Sequence, residues 1–355
     1  MPRPGRFLTP FVAILLLCAP SAMRAQMDFP TPPDTDNSFA TLPVFEFHSG
    51  FWVNLHHFLY EQGRLSSNLP LAGGGAKAPA QSESPADLSA LTPAERAAWQ
   101  SAVAYYAATI SHDDLQVDDE QSEVSAELSA REGCPHIDGP AGSECQLLQE
   151  PELVAALESA APVYRAHWWR DHDRANRAWI GNVAPLVRQM GEEIADQLVN
   201  IFQQNWPAPK IHVDIVWYAG PLGAYATINP AHLTIASHDP RNQALYSLEV
   251  LFLEASHTLA GGVTFAIQQE CKRRGMLIPR DLSDALIFYT TGEVIRRTLA
   301  QEGASVRYTP YGYRYGLYDQ GWSDFVHVLV IYWQPYLEGK VDFDHAIAHV
   351  INALS

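Results

Sequence analysis

The residue types that could carry chemistry concentrate at Phe252-Leu253-Glu254-Ala255-Ser256-His257, within a segment whose apolar spacing predicts a helix over 243–260. Positions three and four apart share one face of a helix, so Glu254 and His257 stand side by side and Leu253 lies one turn before His257. A neutral imidazole is a metal ligand, and a carboxylate beside it is placed to act as general base on metal-bound water. Such a pair calls for a second imidazole four residues before the first, and Leu253 occupies that position. Further along, Tyr289-Thr290-Thr291-Gly292-Glu293 puts one acid, Glu293, into an otherwise apolar segment. Glu249, one turn before Leu253, and His48 or His56, from the N-terminal part, are the candidates to replace the absent ligand. The same residues also fit an ordinary helix. There Leu253 is core, Glu254 and His257 hydrogen-bond to neighbours, and Glu293 pairs with Arg296 or Arg297.

The elements around the motif follow from changes of period. Ile211, Val213, Ile215 and Trp217 alternate with His212, Asp214 and Val216, which predicts a strand. Two more strands are expected at 224–228 and 232–236, with Gly220-Pro221 and Asn229-Pro230 as turns. Helices are expected over 243–260, 262–274, 281–301, 322–335 and 343–353. Strand, motif helix, then a helix carrying one glutamate resembles the gluzincin branch of zinc metallopeptidases. The resemblance spans roughly 210–300 and departs from the family at Leu253, a ligand position. It implies Glu254 as base, His257 and Glu293 as metal ligands, zinc as the cofactor, and 232–236 as an edge strand along which a peptide is laid. The segment Phe47-His48-Ser49-Gly50-Phe51-Trp52-Val53-Asn54-Leu55-His56-His57-Phe58-Leu59-Tyr60 is similar to a group of bacterial exported proteins in which an intact H-E-A-S-H is expected at the motif.

Weaker signals lie outside this stretch. In Tyr308–Tyr318, Tyr311, Tyr313 and Tyr315 on a Gly-rich loop either line a cleft and donate to an oxyanion or pack over the core. His172 and Asn176 share a helix face, either as a ligand pair or on a solvated helix whose tryptophans face inward. His56 and His57 are adjacent, so their side chains point apart. No G-x-S-x-G nucleophile turn occurs, and no glycine loop suited to phosphate follows a strand.

The N-terminal half predicts a helix from Phe45 to Gln62, a Gly/Ala/Ser/Pro-rich linker over 63–91, and a helix from Thr92-Pro93 to Ile110, capped by Thr92 with Glu95. An acidic and cysteine-containing loop is expected over 113–149, then two or three helices to Trp206 with Pro162 and Pro185 at starts or kinks. The sheet is small, so the expected fold is α+β, mainly helical with a small antiparallel sheet, in one domain over 41–355.

Arg3 and Arg6 followed by an apolar run from Phe7 to Ala19 and small residues near Ala25 predict a signal peptide over 1–25, with an unstructured lead over 26–40. A secreted or periplasmic location follows, and there Cys134 and Cys145 are expected to bridge, with Cys271 a buried thiol. A Cys/His metal site using His136 is the alternative at that loop. The formal charge of −17 disfavours nucleic acid and anionic lipid as partners, and no second long apolar run follows the leader. Two readings of function result. One is an exported peptide hydrolase with an incomplete zinc site; the other is a non-catalytic exported protein that binds a peptide or other small extracellular ligand in the old cleft.

Overall fold

Alternation in Ile211–Val216 sends successive side chains to opposite faces of the sheet, and the chain gives each face its own helical layer. The computed structural model describes residues 42–67, 85–115, 118–303 and 307–355. The expected signal peptide and lead, and 68–84 of the linker-like stretch, lie outside the described residues, which all fall within the unit Pro33–Ser355.

Four strands form the sheet: β1 (Phe45–His48), β2 (Ile211–Val216), β3 (Ala224–Ile228) and β4 (Ala231–Ala236), in spatial order β1-β2-β4-β3. The sheet is mixed rather than antiparallel, since β1 and β4 run parallel to β2 and only the β3–β4 hairpin is antiparallel. Alternation reports burial and not direction. The parallel pairing of β1 with β2 requires a long crossover, and the helices between them supply it. They are α1 (Phe51–Ser66), α2 (Pro93–Thr109), α3 (Asp119–Ala130), α4 (Pro151–His167) and α5 (Trp169–Phe202).

Phe45, Phe47, Ile211, Val213, Ile215, Leu233 and Ile235 fill one side of the sheet. They pack with α5, α6 (Tyr246–Leu259), α7 (Gly261–Arg274), α8 (Leu282–Gln301) and the last helix, Phe343–Ala353. Val216, Tyr225 and Ala236 face the other way, into a second cluster built by α1–α4. A sheet covered on both faces is the setting in which parallel strands occur.

Several expectations are corrected. The predicted helix over Phe45–Gln62 is a strand followed by a helix, broken at Ser49-Gly50, because Phe45-x-Phe47 obeys the period of a strand although Phe47 and Phe51 also fit a helix. Within 113–149, Asp118 caps α3 through the Gln121 N–H, and Val124 and Leu128 anchor that helix in the second cluster. Pro162 and Pro185 lie inside α4 and α5, so of the two roles expected for them, start or kink, neither is a helix start. The helix expected over 322–335 is present in pieces, with a π turn at Leu329–Trp333 between Ser323–Val328 and Gln334–Leu337. The Thr92–Glu95 capping box is present, and the Cys134–Cys145 bridge is formed with a Cα–Cα separation of 5.6 Å while Cys271 stays a buried thiol. Among the described residues no single helix is long and apolar enough to cross a membrane.

Candidate functional site

The motif helix α6 follows β4 through a short 3-10 turn, Pro240–Asn242, and is buried on nearly every side. Leu253 is 2% exposed and belongs to the main apolar cluster. Burial pushes the Glu254 carboxyl up to about 8, helped by the charge of Asp284, and Glu254 Oε2 has no hydrogen-bond partner among the described residues. His257 keeps part of its surface open, yet the atoms packed around it push its imidazole down to about 4. Its ring meets Phe288 of α8 edge-on at 6.5 Å. The two motif residues are therefore a protonated acid and a neutral imidazole at neutral pH.

Glu293 points to a different partner. Arg296, one turn on, grips it through Nε at 3.0 Å and Nη2 at 2.8 Å, and Arg297 stands 3.9 Å away. Glu254, His257 and Glu293 are not among the groups of described residues whose ligand atoms gather within 4.8 Å of one another.

Glu249 is occupied as well. Its carboxylate accepts from the Tyr308 hydroxyl and, with both oxygens, from the Tyr311 N–H at 2.9 Å. Burial outweighs these bonds and pushes Glu249 up to about 7. The close approach needs Gly292, where a Cβ would stand 3.0 Å from Glu249 Oε1 and 2.7 Å from Pro310 Cβ. In the tyrosine run, then, Tyr308 and the Tyr311 backbone clamp α6, while the Tyr311 ring is buried 4.5 Å from Tyr315. Tyr313 is exposed against Tyr318, and Tyr315 is half-buried near Tyr246.

The other candidate ligands lie away from α6. Phe45 and Phe47 of β1 face the α6 side, so His48 faces the opposite side, where its Nδ1 lies 3.0 Å from Glu132 and its ring stacks on His212. His56 bonds to the Tyr106 hydroxyl in the second layer, and burial together with His57 holds it well below the usual histidine range. His172 bonds to the Tyr164 hydroxyl and stacks on Trp217. Asn176 is buried and structural: it donates to Ser49 Oγ and Asn54 Oδ1 and accepts from Ser237 Oγ, tying α5 to the start of α1 and to the end of β4. The strand 232–236, expected as the edge, is internal; β1 and β3 are the edge strands.

Sequence reasoning passed over a second constellation. On the sheet face turned from α6, His212 and His232 are direct partners across β2 and β4, and Asp214 is two residues on. His232 Nε2 lies 2.9 Å from Asp214 Oδ2, and His212 Nε2 lies 3.4 Å from Oδ1. Ser129 of α3 donates its hydroxyl to Oδ2. Burial alone would raise Asp214, but the close approach and charges of His212 and His232 outweigh it and hold this carboxyl well below the usual range. The signal was present as His212-x-Asp214, polar residues alternating with apolar ones, with His232 opening the next parallel strand. His136, Asp138 and Glu158, at the disulfide loop, gather too, but His136 and Asp138 are exposed. Compared with known proteins, the chain matches no protein-family model, no curated protein and no solved structure.

Proposed function

We propose that this chain is an exported, non-catalytic binding protein on a gluzincin-like scaffold, in which peptide hydrolysis at α6 has been lost. The observation that carries the reading is the engagement of Glu293 by Arg296, in a chain where Leu253 already stands at the first ligand position. His257 is then the one motif residue left to hold zinc, against the three protein ligands usual for catalytic zinc. Glu254, protonated up to about 8, is also in the wrong state to act as a base at neutral pH. The ligand class is a peptide or another small extracellular molecule. The edge strand β3, antiparallel to β4 and ending at exposed Ile228, supports a peptide laid alongside it.

The test is cleavage of an unstructured peptide mixture by the purified chain with zinc added. The expected result is no cleavage above that given by Glu254→Gln. Cleavage by the parent that disappears in Glu254→Gln would overturn the proposal.

A further inference from the structure

We propose that His212, Asp214 and His232 form a binding site for one divalent transition-metal ion of the zinc class, on the sheet face remote from α6. The site is independent of the reading given above for the motif helix.

Distances carry the argument first. Two ligand atoms each about 2.1 Å from one ion, at tetrahedral or octahedral angles, stand about 3.0 to 3.4 Å apart. The two nitrogen–oxygen separations at Asp214, 2.9 and 3.4 Å, bracket that range. The strand register produces this spacing. Direct partners on parallel strands bring His212 and His232 together, and Asp214 follows two residues later on the same face.

Hydrogen bonding points the same way. Asp214 is 1% exposed, and its Oδ1 is buried without a hydrogen-bond partner. His212 Nε2, which faces it, is also buried without one. At 3.4 Å the two are too far apart for a well-formed hydrogen bond, and a third group that satisfies both would stabilise the pair. A cation between them does so. It requires only that each imidazole carry its proton on Nδ1 and turn the Nε2 lone pair inward.

The surroundings hold the ligands in place. Ser129 Oγ donates to Asp214 Oδ2, and the His48 ring stacks on His212 at 4.0 Å while its Nδ1 is held by Glu132. Outer partners of this kind fix ligand orientation in metal sites. His212 is 33% exposed, so the site opens to solvent on one side. Two imidazoles and one carboxylate suit zinc and its neighbours in the first transition row better than calcium or magnesium.

The experiment uses the full exported chain stripped with chelator and titrated with Zn²⁺ alone, and in parallel with Co²⁺ followed by visible absorption. One ion per chain is expected. His212→Ala and His232→Ala should each weaken binding about 100-fold, the worth of one ligand, and Asp214→Asn should abolish the Co²⁺ absorption. His212 is partly exposed, so His212→Ala should keep the parent's far-UV circular dichroism and metal-free melting temperature. If His232→Ala does not fold, His212→Ala decides alone. Absence of saturable binding by either ion would overturn the proposal. So would unchanged affinity in His212→Ala, or an ion lost with His257→Ala or His136→Ala instead.

Discussion

Glu254 holds its proton in the folded chain up to about 8, against 4.5 in the absence of its surroundings, and His257 is neutral down to about 4, against 6.5. The two act on stability with opposite sign. The contribution of Glu254 is complete below 4.5 and is lost as pH rises toward 8, because the folded state keeps a proton that the unfolded state has released. That of His257 is complete above 6.5 and is lost as pH falls toward 4. Glu249, pushed up to about 7, shares the sign of Glu254. Between pH 7 and 8 Glu254 dominates, because Glu249 has already passed its midpoint, and one proton there is worth roughly 1 kcal/mol per unit. Glu254→Gln keeps a neutral side chain and should flatten the fall in urea midpoint across that window. A variant as sensitive as the parent there would show that Glu254 is already ionised.

Leu253 permits a second test at the same scale. An imidazole there would lie on the helix face of His257 but in an apolar cluster, so Leu253→His alone should cost about 1–3 kcal/mol, the penalty of an unsatisfied buried polar group. Zinc should not restore that loss while Arg296 holds Glu293. With Arg296→Ala added the carboxylate is released, and zinc should raise the melting temperature of the double variant by more than it raises that of the parent or the single variant, which share whatever the His212–Asp214–His232 site contributes. Recovery by zinc in the single variant would mean that Arg296 yields Glu293 readily and that the old site is nearly intact.

At the scale of elements, Asn176 binds side chains from three parts of the fold, and Asn54 in turn bonds to the Ile215 carbonyl and to the Trp217 N–H. Asn176→Ala should therefore destabilise by about 1–3 kcal/mol through the partners it orphans, seen as a lower urea midpoint with unchanged slope. A cost near zero would mean that the remaining groups pair among themselves. Much of the element layout was legible. Hydrophobic period placed β2, β3, β4, α6, α7, α8 and the helix Phe343–Ala353, since each has an apolar set on one clear repeat, whereas the short helices Tyr311–Arg314 and Leu317–Gln320 begin in the run read as a Gly-rich loop. The N-terminal strand was not, because β1 is four residues long and gains its identity from pairing with Ile211, far along the chain. The motif was read correctly as a helix after a strand, but periodicity carries no information on what lies across from Glu293. The guanidinium of Arg296 was one of two partners the sequence allowed. The His212–Asp214–His232 group was overlooked for a related reason: two of its members meet only through the parallel register of β2 with β4.

For the whole molecule, the two layers around the sheet make different demands on the environment. The α5–α8 side is a large apolar cluster that stands without a bridge, whereas the α1–α4 side carries the Cys134–Cys145 disulfide next to α3. Trp52 of α1 donates its indole N–H to the Cys134 carbonyl, so the bridged loop helps position the helix that covers the polar sheet face. The bridge closes a loop of sequence separation 11 and should contribute about 3 kcal/mol in the chain-entropy model. An oxidising compartment maintains that contribution, and the basic, apolar leader expected over 1–25 would deliver the chain there. Export and bridge are thus one prediction with two readouts. Protein recovered from outside the cytoplasm should have the mass of a chain beginning near Gln26. Denatured without reductant, it should take up one equivalent of alkylating agent, at Cys271. The same chain made without residues 1–25 in a reducing cytosol should take up three and melt several degrees lower. A full-length mass outside the cytoplasm would remove the signal peptide from this account, and three reactive thiols in the exported protein would remove the bridge.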